Sequence, residues 1–151
     1  LAAIALIDAV IARHPSRSIT LIGSSLGGFY ATYLAEKRGL RAILLNPAVH
    51  PHRDLARYLG PQRNLYSGEA YELTDLHVRE LEALWMARID PERYFLLVET
   101  GDEVLDYREA VTRYAGARQL VAPGGDHELK CFAEQIPAIL EFGGLPTHSR
   151  S

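Results

Sequence analysis

The chain has 151 residues, 48% hydrophobic and 23% charged, values that are typical of one globular domain and exclude a disordered, collagen-like or coiled-coil protein. Sixteen Lys and Arg residues against nineteen Asp and Glu residues give a formal net charge of -3. Because no run of like charges stands out, we expect neither a nucleic-acid partner nor an anionic membrane partner. The single cysteine, Cys131, excludes an internal disulfide and favours a reducing compartment.

The chain opens on Leu1 rather than on methionine, and residues 1–7 are all apolar. Asp8 interrupts this run, and no basic stretch precedes it, so the segment does not fit a secretory signal. A membrane span needs about 20 apolar residues, and no run in the sequence approaches that length. The spacing instead predicts a buried-face helix over residues 1–14, ended by Pro15.

Hydrophobic patterning predicts four apolar strands that alternate with helices. The strands are predicted at residues 18–23, 41–46, 94–100 and 117–122. Further helices are predicted at residues 26–38, at 104–114 or 106–114, and at 129–142, where Pro137 would kink or split the helix. This alternation predicts a single α/β domain over residues 1–151, with helices on both faces of a mostly parallel sheet.

Residues 48–91 differ from the rest of the chain because they are richer in Pro, Gly, Tyr and charged residues. We expect this segment to leave the sheet as a small cap. Short helices are predicted within it at residues 53–59 and 75–88.

The first chemically distinctive segment follows the first predicted strand. Residues 23–27 read Gly-Ser-Ser-Leu-Gly, a G-x-S-x-G motif centred on Ser25. A serine at a sharp strand-to-helix turn requires neighbours without side-chain bulk, and we expect Gly23 and Gly27 to meet that requirement. Ser25 is therefore a candidate nucleophile, and the Leu26 backbone N–H is a candidate donor to an oxyanion. The alternative is that Ser25 only caps the following helix.

Two later strand ends carry the partners that a serine nucleophile needs. Asp102 follows the third strand, and His127 follows the fourth in a glycine-rich loop. The order Ser25, Asp102, His127 is the chain order of α/β-hydrolases, in which the histidine is the base and the carboxylate orients it. Asp102 could instead only cap a turn, and its rivals for the acid are Glu99, Glu103 and Asp106, of which Asp106 is expected to cap the next helix.

The other five histidines are weaker candidates for the base, because none follows a predicted sheet strand after an acid; they are His14, His50, His52, His77 and His148. His50, His52 and Asp54 suggest a metal site only weakly, because no further ligand has suitable spacing. The loop at residues 23–28 does not match a phosphate-binding pattern. We therefore predict no metal.

Four segments together resemble the YqiA-like esterase family of small bacterial α/β-hydrolases; they are residues 21–32, 46–49, 100–108 and 124–127. The run 100–108 is far more specific than the G-x-S-x-G motif alone. The resemblance implies an α/β-hydrolase fold, carboxylester hydrolase activity, a cytoplasmic location and no cofactor. It also implies that Ser25 is the nucleophile, His127 the base and Asp102 its carboxylate partner.

The chain departs from the family at its beginning. Members of the family begin with a strand followed by His-Gly-Phe, whose loop supplies the second oxyanion donor, and this sequence has no such segment. We therefore expect an N-terminally truncated sequence that lacks the first strands of the sheet. The 151 residues alone are expected to be unstable or nearly inactive.

Short-chain acyl esters are the expected substrates, because a cap of about forty residues leaves little room for a long acyl channel. Phe29, Pro47, Val49 and Tyr107 are candidates for an apolar pocket wall, although each could equally be core. An acyl thioesterase with the same three residues and a non-catalytic binding module remain alternatives. The sequence leaves the oligomeric state open.

Overall fold

The computed structural model describes residues 2–63 and 68–146. The chain divides into two compact units. One comprises the chain up to Val49 and from Met86 onward, and the other comprises His50–Trp85. The sequence-based assignment of residues 48–91 as the cap of a single domain stays a prediction.

The first unit contains a sheet of four parallel strands. In chain order these are β1 (Thr20–Ser24), β2 (Arg41–Leu45), β5 (Tyr94–Glu99) and β6 (Arg118–Ala122), and they lie side by side in that same order. Its helices are α1 (Ala2–Ile11), α2 (Leu26–Arg38), α5 (Tyr107–Arg113) and α6 (Phe132–Phe142). Short 3-10 turns occupy Ser16–Ser18 and Pro91–Arg93.

The second unit is smaller. It contains α3 (Pro51–Leu55), a 3-10 turn (Ala56–Tyr58), an antiparallel hairpin of β3 (Gly60–Arg63) and β4 (Ala70–Leu73), and α4 (Asp75–Leu84).

Helices cover both faces of the four-stranded sheet, as the apolar strands predict. All six residues of β5 are buried, because the strand lies in the interior of the sheet. On one face, Ile43, Leu45, Phe95 and Leu97 pack against Ile139 of α6 and against Leu129. On the other face, Tyr94 lies 5.2 Å from the Tyr114 ring and donates a hydrogen bond to Glu36 of α2. The expected α/β class is therefore confirmed.

Several predicted boundaries are corrected by the structure. Helix α6 begins at Phe132 rather than at residue 129, because the preceding residues form a loop, and Pro137 lies inside one helix without splitting it. Helix α4 ends at Leu84, since Trp85 is extended. The hairpin β3–β4 was not predicted, because Gly60-Pro61-Gln62-Arg63 lacks alternating apolar residues. Among the described residues, no helix has the length and apolar character needed to cross a membrane.

Candidate active site

Ser25 stands between β1 and α2 in a strained backbone conformation, with φ 53° and ψ -124°. Residues other than glycine rarely adopt a positive φ, and they do so where the surrounding structure holds them there. The Ser25 N–H donates to the Leu45 carbonyl at 3.1 Å, and the Ser25 carbonyl accepts from Gly28 and Ala48, each at 3.0 Å. The hydroxyl makes no helix-capping bond. This turn therefore leaves the hydroxyl available to another partner, contrary to the cap-only alternative.

Of the two motif glycines that flank Ser25, Gly23 contributes as the motif predicts and Gly27 does not. A Cβ on Gly23 would lie 2.5 Å from the Gly27 carbonyl carbon and 2.7 Å from the Gly28 nitrogen, so close backbone packing requires glycine there. A Cβ on Gly27 would meet nothing within 4 Å. A Cβ on Gly28 would instead lie 2.6 Å from Pro47 Cβ. The expectation that Gly27 avoids a clash is wrong, and Gly28 has that role.

The structure brings Ser25, His127 and Asp102 together. The Ser25 hydroxyl lies 3.0 Å from His127 Nε2. His127 Nδ1 lies 2.9 Å from Asp102 Oδ2 and 3.0 Å from Asp102 Oδ1. An imidazole whose Nδ1 carries the proton would donate to the carboxylate and accept from the serine hydroxyl through Nε2. The three side chains thus form a continuous path from hydroxyl to carboxylate.

The two side chains of the His127–Asp102 pair differ in burial. The Asp102 side chain is 1% exposed, whereas that of His127 is 21% exposed. Asp102 Oδ1 also accepts from the backbone N–H groups of Val104 at 2.8 Å and Leu105 at 2.9 Å. Because the histidine and two backbone amides supply donors, the buried carboxylate has the hydrogen bonds that a buried charge requires.

The rival acids all have other partners. Asp106 caps α5 by accepting from the Arg108 N–H at 3.0 Å, as predicted. Glu103 Oε2 accepts from the His127 backbone N–H at 3.1 Å. Glu99 is 2% exposed and accepts from backbone N–H groups of the loop that follows β6. Asp102 is thus the acid whose carboxylate contacts the His127 ring.

Three of the other described histidines have neighbours of their own. His77 belongs to a capping box with Thr74 at the start of α4. In the second unit, the His50 ring stacks on Trp85 at 5.8 Å and lies 5.8 Å from the His52 ring. His148 lies outside the described residues. Within residues 2–63 and 68–146, no group of three or more His, Cys, Asp or Glu side chains could hold a metal ion.

The other candidate residues are placed as follows. Leu26 is the first residue of α2, so its N–H is one of the first-turn donors without an intrahelical acceptor. Phe29, Pro47 and Val49 are buried, whereas Tyr107 is half-buried at the start of α5. The roles of Leu26 as an oxyanion donor and of the other four as pocket wall stay predictions.

Two buried polar residues beside the site were not assigned a role by the sequence. Asn46 and Glu99 are each 2% exposed and lie at the carboxyl ends of β2 and β5. The sequence presents Glu99 only as a rival acid and Asn46 only as part of a family-like segment. The available signal was a polar residue that directly follows, or ends, an otherwise apolar strand.

Comparison with known families identifies the chain. Residues 1–144 match the model of the family described as Uncharacterised protein family (UPF0227). The chain belongs to this family. The match confirms the resemblance to the YqiA-like group, and it covers nearly all of the UPF0227 chain described above.

Solved structures of α/β-hydrolases share the fold of this UPF0227 member. Mouse alpha/beta hydrolase domain-containing protein 10 has a TM-score of 0.67 at 17% identity, over 93% of this chain and 66% of that chain. Est1E from Butyrivibrio proteoclasticus, solved with ferulic acid bound, has a TM-score of 0.66 at 19% identity, over 92% of this chain and 65% of that chain. A monoacylglycerol lipase from Paleococcus ferrophilus has a TM-score of 0.59 at 17% identity, over 93% and 73%.

These likenesses confirm the expected α/β-hydrolase fold. The chain spans less than two thirds of the length of the mouse protein, at 66%, and of Est1E, at 65%.

Proposed function

We propose that this protein is a serine carboxylester hydrolase that cleaves short-chain acyl esters of small molecules through an acyl-enzyme on Ser25. The observation that carries the proposal is the contact path from the Ser25 hydroxyl through His127 to the buried Asp102, with distances of 3.0 Å and 2.9 Å. Its setting supports the same conclusion, since Ser25 occupies a strained turn at the start of a helix, as the nucleophile of an α/β-hydrolase does.

The proposed reaction has two steps. Ser25 Oγ attacks the ester carbonyl carbon while its proton passes to His127 Nε2, and the leaving alcohol then takes that proton as its bond to the carbonyl carbon breaks. Water attacks the acyl-enzyme with His127 again acting as base, which releases the acid and restores the Ser25 hydroxyl. Asp102 holds the Nδ1–H tautomer and stabilises the imidazolium in both steps.

The negative charge that develops on the ester carbonyl oxygen requires hydrogen-bond donors in the turn that holds Ser25. The Leu26 N–H at the start of α2 is the proposed donor from the turn that holds Ser25, and the helix dipole favours negative charge at that position. Phe29, Pro47, Val49 and Tyr107 are the proposed apolar wall for the acyl group. We assign the activity to the cytoplasm on the family resemblance.

The decisive experiment compares Ser25→Ala with its parent on p-nitrophenyl acetate, with both made in the full-length protein. The variant should lose roughly 10⁴-fold or more in kcat/KM. A fluorophosphonate should label the parent at Ser25 and leave the variant unlabelled. Equal rates for the two proteins would refute Ser25 as nucleophile. Parallel assays on an acyl-CoA distinguish an esterase from a thioesterase, because both reactions use the same groups, and faster turnover of the acyl-CoA would contradict the ester assignment.

A further inference from the structure

Residues 123–131, here called the histidine loop, connect β6 to α6 and carry His127. Glu99, at the end of β5, holds this loop through its backbone. Glu99 Oε2 accepts from the N–H groups of Asp126 and Lys130, each at 2.9 Å, and Oε1 accepts from Cys131 N–H at 2.8 Å. Three backbone donors on both sides of His127 therefore converge on one buried carboxylate.

The ionised form of Glu99 suits this arrangement. Burial by itself would raise the pKa of Glu99, but the bonds from the three backbone amides outweigh that effect and lower the pKa below its ordinary value. Hydrogen bonds to a charged acceptor are stronger than neutral ones. The loop is therefore anchored by charge-assisted bonds at positions on each side of the histidine.

Asn46 holds the same loop from β2. Its Nδ2 donates to the carbonyl of Asp126 at 3.0 Å and to that of His127 at 3.2 Å. Its Oδ1 accepts from the backbone N–H of Glu99 at 3.0 Å. Asn46 adopts a positive φ of 40°, in the left-handed region that asparagine tolerates better than most residues. A single amide thus links the neighbouring strand to the residue that carries the imidazole.

Close packing leaves the histidine loop little freedom. Gly125 has a φ of +70°, and a Cβ on it would overlap the Glu99 carboxylate, so the loop backbone lies directly against Glu99. Leu129 also has a positive φ, 62°, and its side chain is buried in the core with Phe95 and Leu97. A leucine remains in that conformation only where its surroundings fix it.

Two further hydrogen bonds join the histidine loop to the segment that carries Asp102. Gly101 N–H donates to the Gly124 carbonyl at 2.8 Å, and Gly124 N–H donates to Thr100 Oγ1 at 2.9 Å. Glu99 and Asp102 are three residues apart on the segment that the loop contacts. Anchoring the loop on Glu99 therefore also sets the separation of His127 from Asp102.

We propose that Asn46 and Glu99 are positioning residues, a buried amide–carboxylate pair that fixes the histidine loop and so holds His127 in line between Ser25 and Asp102. This inference rests on the proposed function of Ser25 and His127. Neither residue is required to touch the ester. Their effect is expected on the rate of the proton transfer that His127 performs, and not on the affinity for substrate.

The test uses two near-isosteric variants, made like Ser25→Ala in the full-length protein. Glu99→Gln presents an amide N–H₂ where the carboxylate accepts a backbone donor. Asn46→Asp replaces the Nδ2 donor by an oxygen that faces two carbonyls. Each should lower kcat on p-nitrophenyl acetate by about 10²-fold while KM changes by less than about threefold, because a small misplacement of a catalytic group costs rate and not binding.

The matched control is Tyr94→Phe. It removes a partly buried hydrogen bond of 2.6 Å to Glu36 at the opposite end of the same strand, and so destabilises β5 without touching the histidine loop. Its thermal midpoint should fall while kcat stays at the parental value. If Glu99→Gln and Asn46→Asp lower kcat no more than this control does at a comparable loss of thermal midpoint, the positioning role is refuted.

A spectroscopic measurement separates positioning from general destabilisation. The hydrogen bond between His127 Nδ1–H and Asp102 should give a far-downfield proton NMR resonance that His127→Ala removes. The resonance should weaken or shift in Glu99→Gln and Asn46→Asp and persist in Tyr94→Phe; an unchanged resonance in all three contradicts the proposal. If one variant does not fold, the other carries the test. Ser25→Ala is run beside them, because retained activity there refutes the proposed function and not the role of this pair.

Discussion

Alanine at Gly23 and alanine at Gly27 should have opposite effects, although both positions are glycines of the same G-x-S-x-G motif. A Cβ on Gly23 would meet the backbone of Gly27 and Gly28 within 2.7 Å, and backbone atoms cannot rotate away as a side chain can. A Cβ on Gly27, the second residue of α2, would meet nothing within 4 Å.

The magnitudes follow from these surroundings. Overpacking against rigid neighbours costs about 1–3 kcal/mol, so Gly23→Ala should lower the free energy of unfolding by about that amount. Gly27→Ala should raise it by about 0.4–1 kcal/mol, because alanine restricts the unfolded chain and favours the helix. At about 2–4 °C per kcal/mol for a protein of this size, the two thermal midpoints should differ by roughly 3–16 °C.

Thermal unfolding followed by circular dichroism measures the difference directly. Urea unfolding at 25 °C checks that the two variants unfold with the same m-value, so that a shift in midpoint reports stability. Fluorophosphonate labelling then reports the reactivity of Ser25. Gly23→Ala should label more slowly than the parent, because the turn that holds Ser25 must move. Equal midpoints for the two variants, or a less stable Gly27→Ala, would refute the packing argument.

Three further predictions concern the histidine loop and its surroundings. His127→Ala should lose roughly 10⁴-fold in kcat/KM while His52→Ala stays near the parent, and the reverse ranking in steady-state kinetics would overturn the choice of base. Burial, with the hydrogen bond and charge of Glu99, raises the pKa of the Cys131 thiol to about 11; an aromatic disulfide reagent at pH 8 should therefore react slowly with the folded parent and faster with folded Glu99→Gln. Because the pKa of Glu99 is lowered in the folded protein, its ionised form contributes stability at pH values above the ordinary pKa of 4.5. This stability is lost as the pH falls through the lower pKa of the folded state. The urea midpoint of the parent should thus drop more in that acid range than that of Glu99→Gln, and parallel curves would contradict an ionised Glu99.

The sequence by itself determined which strands and helices follow one another along the chain to form the sheet and its cover. It also selected the three candidate residues. Continuous apolar strands between amphipathic segments specify a covered parallel sheet, since hydrophobic periodicity is a local property of the chain. The motif at residues 23–27, with an acid and a histidine after later strands, was also sufficient to select Ser25, Asp102 and His127 as candidates. Helix α2 was predicted at its observed bounds, Leu26–Arg38.

Only the tertiary structure decided which groups meet. Four carboxylates lie within residues 99–106, and it is the loop geometry that turns Asp102 toward the imidazole and Glu99 toward backbone amides. The close approach of Gly28 to Pro47 and the bonds from Asn46 to the histidine loop join residues 19 to 81 positions apart. Such contacts depend on how strands and loops are brought together by packing, and no local pattern in the sequence encodes their distances.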